Sequence, residues 1–220
     1  MKTVIVTGAG SGLGKELTLR YANPGDRFLL IGRRLDKLTP VVEVLEAKGI
    51  ESAAYSCDIS DLRAVRQLMS MVRANFEQVD MLINCAGVGY FGPLASTSEQ
   101  EIHAMVDINL KGTIFMTQSF EPIVRKRVLT IISTAGLKGK PNEAVYVASK
   151  YGVRGFMESL QNEFEGQERF TSVYMGGMDT PFWDESDHIA DKSRLKSPVE
   201  VAEEIFQMDD GRLEIHINKK

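Results

Sequence analysis

Thr7-Gly8-Ala9-Gly10-Ser11-Gly12-Leu13-Gly14 stands between a β-branched apolar run, Lys2 to Thr7, and an amphipathic stretch, Gly12 to Tyr21. A run of the first kind predicts a strand and one of the second a helix. Glycines in such a turn permit positive φ and close backbone approach. The helix N-terminus that follows offers free N–H groups to a pyrophosphate. The spacing is TGxxxGxG. The common GxGxxG does not fit, because its last glycine would fall on Leu13 when counted from Gly8 and on Lys15 when counted from Gly10. A tight turn alone would use two of these glycines; four point to a dinucleotide.

Outward from that turn the same alternation repeats. Strands are predicted at Phe28 to Ile31, Ala53 to Cys57, Asp80 to Asn84, Val128 to Ser133, Phe170 to Tyr174 and Leu213 to Ile217. Helices are predicted at Leu35 to Lys48, Asp61 to Phe76 (with Ser60 or Asp61 as N-cap), Ser98 to Phe120, Asn142 to Phe164 and from Pro198 onward. Strand–helix alternation of this length predicts an α/β fold. The expectation is a Rossmann-type doubly wound parallel sheet of about seven strands with helices on both faces. No linker or repeat interrupts it, so one domain over residues 1–220 is the simplest account. Ligands of such a sheet bind beyond the carboxyl ends of its strands.

Composition removes other classes. With 43% hydrophobic and 25% charged residues the chain is an ordinary globular one. Its net charge of -4 gives no general attraction to nucleic acid. Cys57 and Cys85 have no CxxC spacing, and His103, His188 and His216 are scattered, so no metal site is expected. The run Val4-Ile5-Val6 is too short for a signal peptide or a membrane span, and a cytoplasmic setting is expected.

After the second strand comes Gly32-Arg33-Arg34, with no acid before Asp36. NAD sites place a carboxylate near here for the ribose hydroxyls, whereas arginine accommodates the 2′-phosphate of NADP. Arg33 and Arg34 therefore favour NADP(H) over NAD(H); solvated surface charge is the alternative.

Tyr146 and Lys150 are four apart on a predicted helix and share one face. Ser133 ends the fifth predicted strand, at the ligand-binding edge. Carbonyl chemistry needs a proton donor for the developing alkoxide, and an unperturbed tyrosine, at about 10, is poorly matched to neutral pH. At ~4 Å and an effective dielectric of ~20 a lysine ammonium would favour the phenolate by roughly 4 kcal/mol. That is on the order of three pKa units. Tyr146 is thus expected to titrate near the working pH, with Ser133 holding the carbonyl oxygen.

Taken together these motifs resemble the short-chain dehydrogenases/reductases, in their compact one-domain subgroup, over nearly the whole chain. Asp58, followed by Ile59, matches that family's adenine-contacting acid. Asn84-Cys85-Ala86-Gly87 is similar to its NAAG motif beside the adenosine, with Cys85 replacing an alanine. The resemblance implies that Asn109 supports a water relay to the lysine. It also implies that Ser133, Tyr146 and Lys150 complete a catalytic tetrad, and that Lys150 holds the nicotinamide ribose. Implied cofactor contacts are Gly8, Ser11, Gly12, Leu13, Gly14, Arg33, Arg34, Asp58, Ile59, Asn84, Ala86, Gly87, Tyr146, Lys150, Gly176, Met178 and Thr180. One departure stands out: Met175 replaces the proline usual after the sixth strand, which leaves φ unfixed there.

The substrate is expected among Val88 to Phe91, Leu137 to Pro141 and a lid at about 181–197. Phe182 and Trp183 would cover a small apolar carbonyl or alcohol, or else pack on the body of the domain. His188 is expected at the surface. The family resemblance implies a homodimer or homotetramer, with neither nucleic acid nor membrane as partner. Two other functions compete. One is a catalytically silent NADP(H)-binding regulator, disfavoured by the complete tetrad. The other is a tightly cofactor-bound epimerase or dehydratase, which would more often carry TGxxGxxG.

Overall fold

A computed structural model describes residues 1–167, 169–183 and 194–217. Seven parallel strands form one sheet: β1 (Thr3–Thr7), β2 (Arg27–Gly32), β3 (Glu51–Ser56), β4 (Val79–Asn84), β5 (Val124–Ile131), β6 (Phe170–Tyr174) and β7 (Glu214–His216). Their order is β3-β2-β1-β4-β5-β6-β7. The chain winds outward to one edge through β3, then restarts beside β1 and winds to the other. The doubly wound α/β expectation holds, and the switch point lies between β1 and β4.

Strand alternation sorts the core into two layers. Val4, Val6, Phe28, Leu30, Met81, Ile83 and Leu129 face one way, against α1 (Gly12–Tyr21), α2 (Leu35–Glu46) and α7 (Pro198–Met208). Ile5, Leu29, Ile31, Leu82 and Val128 face the other. They meet α3 (Leu62–Asn75), α5 (Thr113–Phe120) and α6 (Ala144–Glu163). Both faces of each central strand are buried, which is why these strands read as continuous apolar runs.

Two elements differ from their sequence reading. The helix expected from Ser98 to Phe120 is divided. Its first part, α4 (Glu99–Ala104), opens on a capping box in which the Ser98 side chain and Glu101 satisfy each other's backbone N–H groups. A π-helical stretch, Met105–Gly112, then leads into α5. The wider turn carries Asn109 inward, where it is 1% exposed. β5 begins at Val124, ahead of the expected Val128, and stops at Ile131, so Ser133 lies just past the strand. The early start hides in the charged Arg125-Lys126-Arg127. Two of its three charges are matched by tertiary partners, Lys126 by Asp80 at 2.9 Å and Arg127 by Asp209 at 2.8 Å. No helix of the described residues is long and apolar enough to cross a membrane.

Candidate active site

At the switch point Thr7 joins the two halves. Its Oγ1 accepts from the backbone N–H groups of Cys85 (3.0 Å) and Ala86 (3.1 Å) and donates to the Ile83 carbonyl. The Gly-rich turn folds over this point. Gly8 has φ +69, and a Cβ there would lie 2.9 Å from Ala86 Cα. A Cβ on Gly14 would lie 2.2 Å from the Gly8 carbonyl oxygen. These two glycines let β1, β4 and the start of α1 approach one another. Ser11, the N-cap of α1, makes no side-chain cap and the first turn holds no acid, so its N–H groups stay available to an anion.

From this turn one cleft of about 760 Å³ runs along the carboxyl ends of the strands. At one end it is lined by Gly8, Ser11 to Gly14, Arg33, Arg34, Asp58 and Ile59. Ala86 and Gly87 line the middle, and Ser133, Tyr146, Lys150, Gly176, Met178 and Thr180 the other end. Asn84 and Asn109, both named from sequence, are not on its wall. Asn84 is 4% exposed and donates to Thr117 Oγ1 (3.0 Å) and Thr130 Oγ1 (3.3 Å), tying the sheet to α5. Asn109 accepts from Val88 N (2.8 Å) and donates to the Val88 carbonyl (2.9 Å) and to Ser149 Oγ (3.0 Å). Both hold the cleft's wall from behind.

The sequence reading did not single out Lys37 and Glu143. Lys37 lines the cleft one helical turn beyond Arg33 and Arg34, and among the described residues none of the three forms an ion pair. Its signal was its i+3 spacing from Arg34 at the start of a helix. Glu143 lies buried just before α6.

Ser133 has φ +100, a conformation that costs a non-glycine residue on the order of 1–3 kcal/mol and persists only where its surroundings impose it. The Thr134 N–H donates to the Met175 carbonyl at 2.8 Å, which holds this turn against the end of β6. This bond uses only the backbone carbonyl of Met175, which a proline would equally supply. Ser133 Oγ accepts from Ala135 N at 3.2 Å, leaving its own proton to donate elsewhere.

Burial dominates the electrostatics of the reacting end. It pushes the Tyr146 phenol up to about 12; the Ser133 hydroxyl opposes this and the charge of Glu143 adds to it. Burial brings the Lys150 ammonium down to about 8. The expectation that Lys150 draws Tyr146 toward neutrality is therefore corrected. Lys150 Nζ donates to the Ile131 carbonyl at 3.2 Å and stands 5.8 Å from the centre of the Tyr146 ring. At that placement its pull does not offset the cost of burying a phenolate.

Phe182 and Trp183 close over this end in a short turn, Pro181–Trp183. Trp183 stacks on Phe91 (4.9 Å between centroids), and Phe91 meets Tyr146 edge-on at 5.2 Å. Phe182 itself lies 5.9 Å from Tyr146, so both rings pack on the body of the domain beside it. The part of the expected lid from 184 to 193, His188 included, lies outside the described residues. No group of three or more potential metal ligands occurs among the described residues.

Uncapped N–H groups, close-packed glycines and a long strand-end cleft fit a nicotinamide dinucleotide, and known proteins agree. A model of the short chain dehydrogenase family matches residues 2–190. The sepiapterin reductase of Chlorobaculum tepidum is 28% identical over 93% of this chain and 88% of its own length. A glycine betaine reductase of Emericella nidulans is 36% identical over 81% of this chain, which spans only 14% of that relative's length. An alcohol dehydrogenase from Thermococcus sibiricus, complexed with 5-hydroxy-NADP, superposes with a TM-score of 0.90 at 26% identity. That superposition covers 100% of this chain and 97% of the other. This chain belongs to the short-chain dehydrogenase family and is an NAD(P)-dependent oxidoreductase.

Proposed function

We propose that the chain, acting as one domain, interconverts a carbonyl and an alcohol on a small, largely apolar substrate with NADP(H). Tyr146 is its general acid/base. The observation that carries this is the cleft joining Arg33, Arg34 and Lys37, none of which forms an ion pair among the described residues, to Ser133, Tyr146 and Lys150. The bound nicotinamide supplies or accepts the hydride. Ser133 donates a hydrogen bond to the substrate oxygen. In reduction, Tyr146 passes its phenolic proton to that oxygen as the C–O double bond becomes a C–OH single bond; in oxidation it takes the proton back. Lys150 stabilises the phenolate left behind, and Asn109 positions the Val88 segment that faces it. Substrate identity is not carried over from relatives, whose names span glycine betaine and sepiapterin. A homodimer or homotetramer belongs to the same reading; exposed Ile102 and Tyr151, on α4 and α6, suit such a contact.

NADPH and NADH oxidation over a panel of aldehydes, ketones and diketones tests the reading. NADPH is expected to be preferred. Hydrogen bonds to charged groups contribute roughly 1.5–3 kcal/mol each. Arg33→Ala or Arg34→Ala should therefore lower kcat/KM for NADPH by about 10- to 100-fold, with NADH nearly unaffected. Equal use of both cofactors by the unmodified chain would remove the role given to these arginines.

The two directions should differ in pH dependence. Lys150 loses its proton as pH rises through about 8, and with it the charge that eases proton release from Tyr146. Reduction should fall above that value. Oxidation needs the phenolate of a group pushed up to about 12, so it should keep rising with pH. Initial rates in both directions check this. Lys150→Arg, which stays charged, should lose the reductive fall. A reductive limb identical in that variant would assign it to another group.

A further inference from the structure

Gly89 is a glycine for want of room and not for the sake of its backbone. It lies outside the left-handed region, where a side chain would be strained. A Cβ there would lie 2.5 Å from Phe182 Cζ, and 2.6 and 2.9 Å from Phe91 Cζ and Cε2. The tips of two rings therefore rest on the Gly89 α-carbon. The chain on either side of it is pinned. Val88 exchanges two hydrogen bonds with the Asn109 side chain, at 2.8 and 2.9 Å, and the Tyr90 N–H donates to Met105 Sδ at 3.5 Å. Asn109 and Met105 are both buried. Phe91 and Phe182 line the cleft together with Ser133 and Tyr146, and their centroids lie 5.2 and 5.9 Å from that of the Tyr146 ring. Gly89 is not on the cleft's wall, so the rings stand between it and the open space.

We propose that Gly89 is a positioning residue for substrate size: by carrying no side chain it seats Phe91 and Phe182 back from the cleft and so keeps room beside Tyr146 for a carbonyl with a branched apolar group. The proposal rests on the carbonyl–alcohol reading of the same cleft. A carbonyl oxygen held by Ser133 and Tyr146 brings its substituents to the part of the cleft that these two rings wall. A methyl on Gly89 cannot share the space that the ring tips fill. The backbone at Val88 and Tyr90 is fixed by partners in the core, whereas a ring tip is the far end of a side chain. The rings therefore give way, and the way open to them is into the cleft. Interiors are close-packed, and forcing one more methyl into them shifts side chains before it shifts backbone held on both sides. Gly89 thus acts on the substrate only through the two rings.

The test uses two diketones, diacetyl and its homologue with an isobutyl group in place of one methyl. Each is offered to the NADPH-loaded enzyme. Turnover is read from NADPH oxidation, and affinity from calorimetric titration. The unmodified chain should accept the isobutyl dione at least as well as diacetyl, because burying apolar surface favours binding. Gly89→Ala should lower the isobutyl-to-diacetyl ratio of kcat/KM by roughly 10- to 200-fold, the range that one methylene commands in an apolar pocket. The change should fall on KM for the isobutyl dione. Phe182→Ala should raise the ratio, and this arm stands if Gly89→Ala does not fold. Combining the two substitutions should restore part of what Gly89→Ala loses, since the methyl and the ring compete for one space. Turnover of both diones with a ratio that no variant changes overturns the proposal and leaves the carbonyl chemistry standing. An equal loss on both diones in Gly89→Ala also overturns it, as does a double variant no better than Gly89→Ala. So does a preference of the unmodified chain for diacetyl, or failure of both diones to bind. A ratio of affinities that follows the expected order, with neither dione turned over, upholds the role of Gly89 and counts against the chemistry.

Discussion

Tyr146→Phe is expected to reduce kcat for carbonyl reduction by about 10²- to 10⁴-fold, the range that a positioned general acid contributes. The ring keeps its place, because Phe91 and Phe182 pack on it through carbon. Only the hydroxyl is lost, together with its engagement with Ser133. A phenol held near 12 is fully protonated at neutral pH, so the reductive direction finds its acid ready. No other proton donor among the described residues at this end matches it. Lys150 is turned toward the Ile131 carbonyl, and the Ser133 hydroxyl would leave an alkoxide far too basic to form. Loss should fall on kcat far more than on NADPH binding, since the rest of the cleft, from the Gly8–Gly14 turn to Asp58, would still be there to hold the dinucleotide. Initial rates and a fluorescence titration of NADPH separate the two. A variant within about tenfold of the parent rate would place the acid elsewhere, because such a small loss lies below the usual general-acid contribution.

Gly14→Ala should be the most disruptive single methyl in the molecule's cofactor turn. Its Cβ would meet the Gly8 carbonyl oxygen at 2.2 Å and the Gly8 carbonyl carbon at 2.7 Å. Neither is a flexible side chain that can swing away. Relief requires moving α1 off β1, and with it the N–H groups that would receive a pyrophosphate. Overpacking of this kind costs on the order of 3 kcal/mol or more. For a chain of this size that is a Tm lower by roughly 6–12 °C. Gly12→Ala is the control. Its φ of +50 strains an alanine by about 1–2 kcal/mol, but its nearest neighbour, the Thr180 side chain, is at 3.4 Å. Thermal melts and NADPH titrations of both variants check the order. Equal effects would mean that backbone conformation, not close approach, governs the turn.

Much of this architecture follows from local sequence. Strands buried on both faces leave unbroken apolar runs, and turns that need positive φ leave glycines, so β1, β2, β4 and β6 and the Gly8–Gly14 turn are legible along the chain. Tyr146 and Lys150 are legible because helical spacing alone puts them on one face. Arg33 and Arg34 are legible because a doubly wound sheet places the end of β2 beside the cofactor turn.

Four features depend on groups far apart in the chain. β5 starts inside Arg125-Lys126-Arg127 because Asp80 and Asp209 neutralise charges that a local reading takes for a loop. The π-helical stretch forms around Asn109 because the backbone of Val88, 21 residues away, offers both a donor and an acceptor. Phe182 reaches Tyr146 only through folding, since hydrophobicity tells a ring that it will be covered and not by what.

The charge state of the reacting residues is the fourth. Sequence placed Lys150 within reach of Tyr146 and suggested that attraction would set the phenol's acidity. Desolvation sets it instead, in the opposite direction, because the whole domain encloses both groups. By itself, then, the sequence determined the order of strands and helices and the glycine turn, and it singled out the side chains proposed to react, all from patterns within a few residues. The tertiary structure alone decided how deeply those side chains are buried, and therefore which of them hold protons and which substrates they can meet. Burial is a property of the packed chain, and no local stretch carries it.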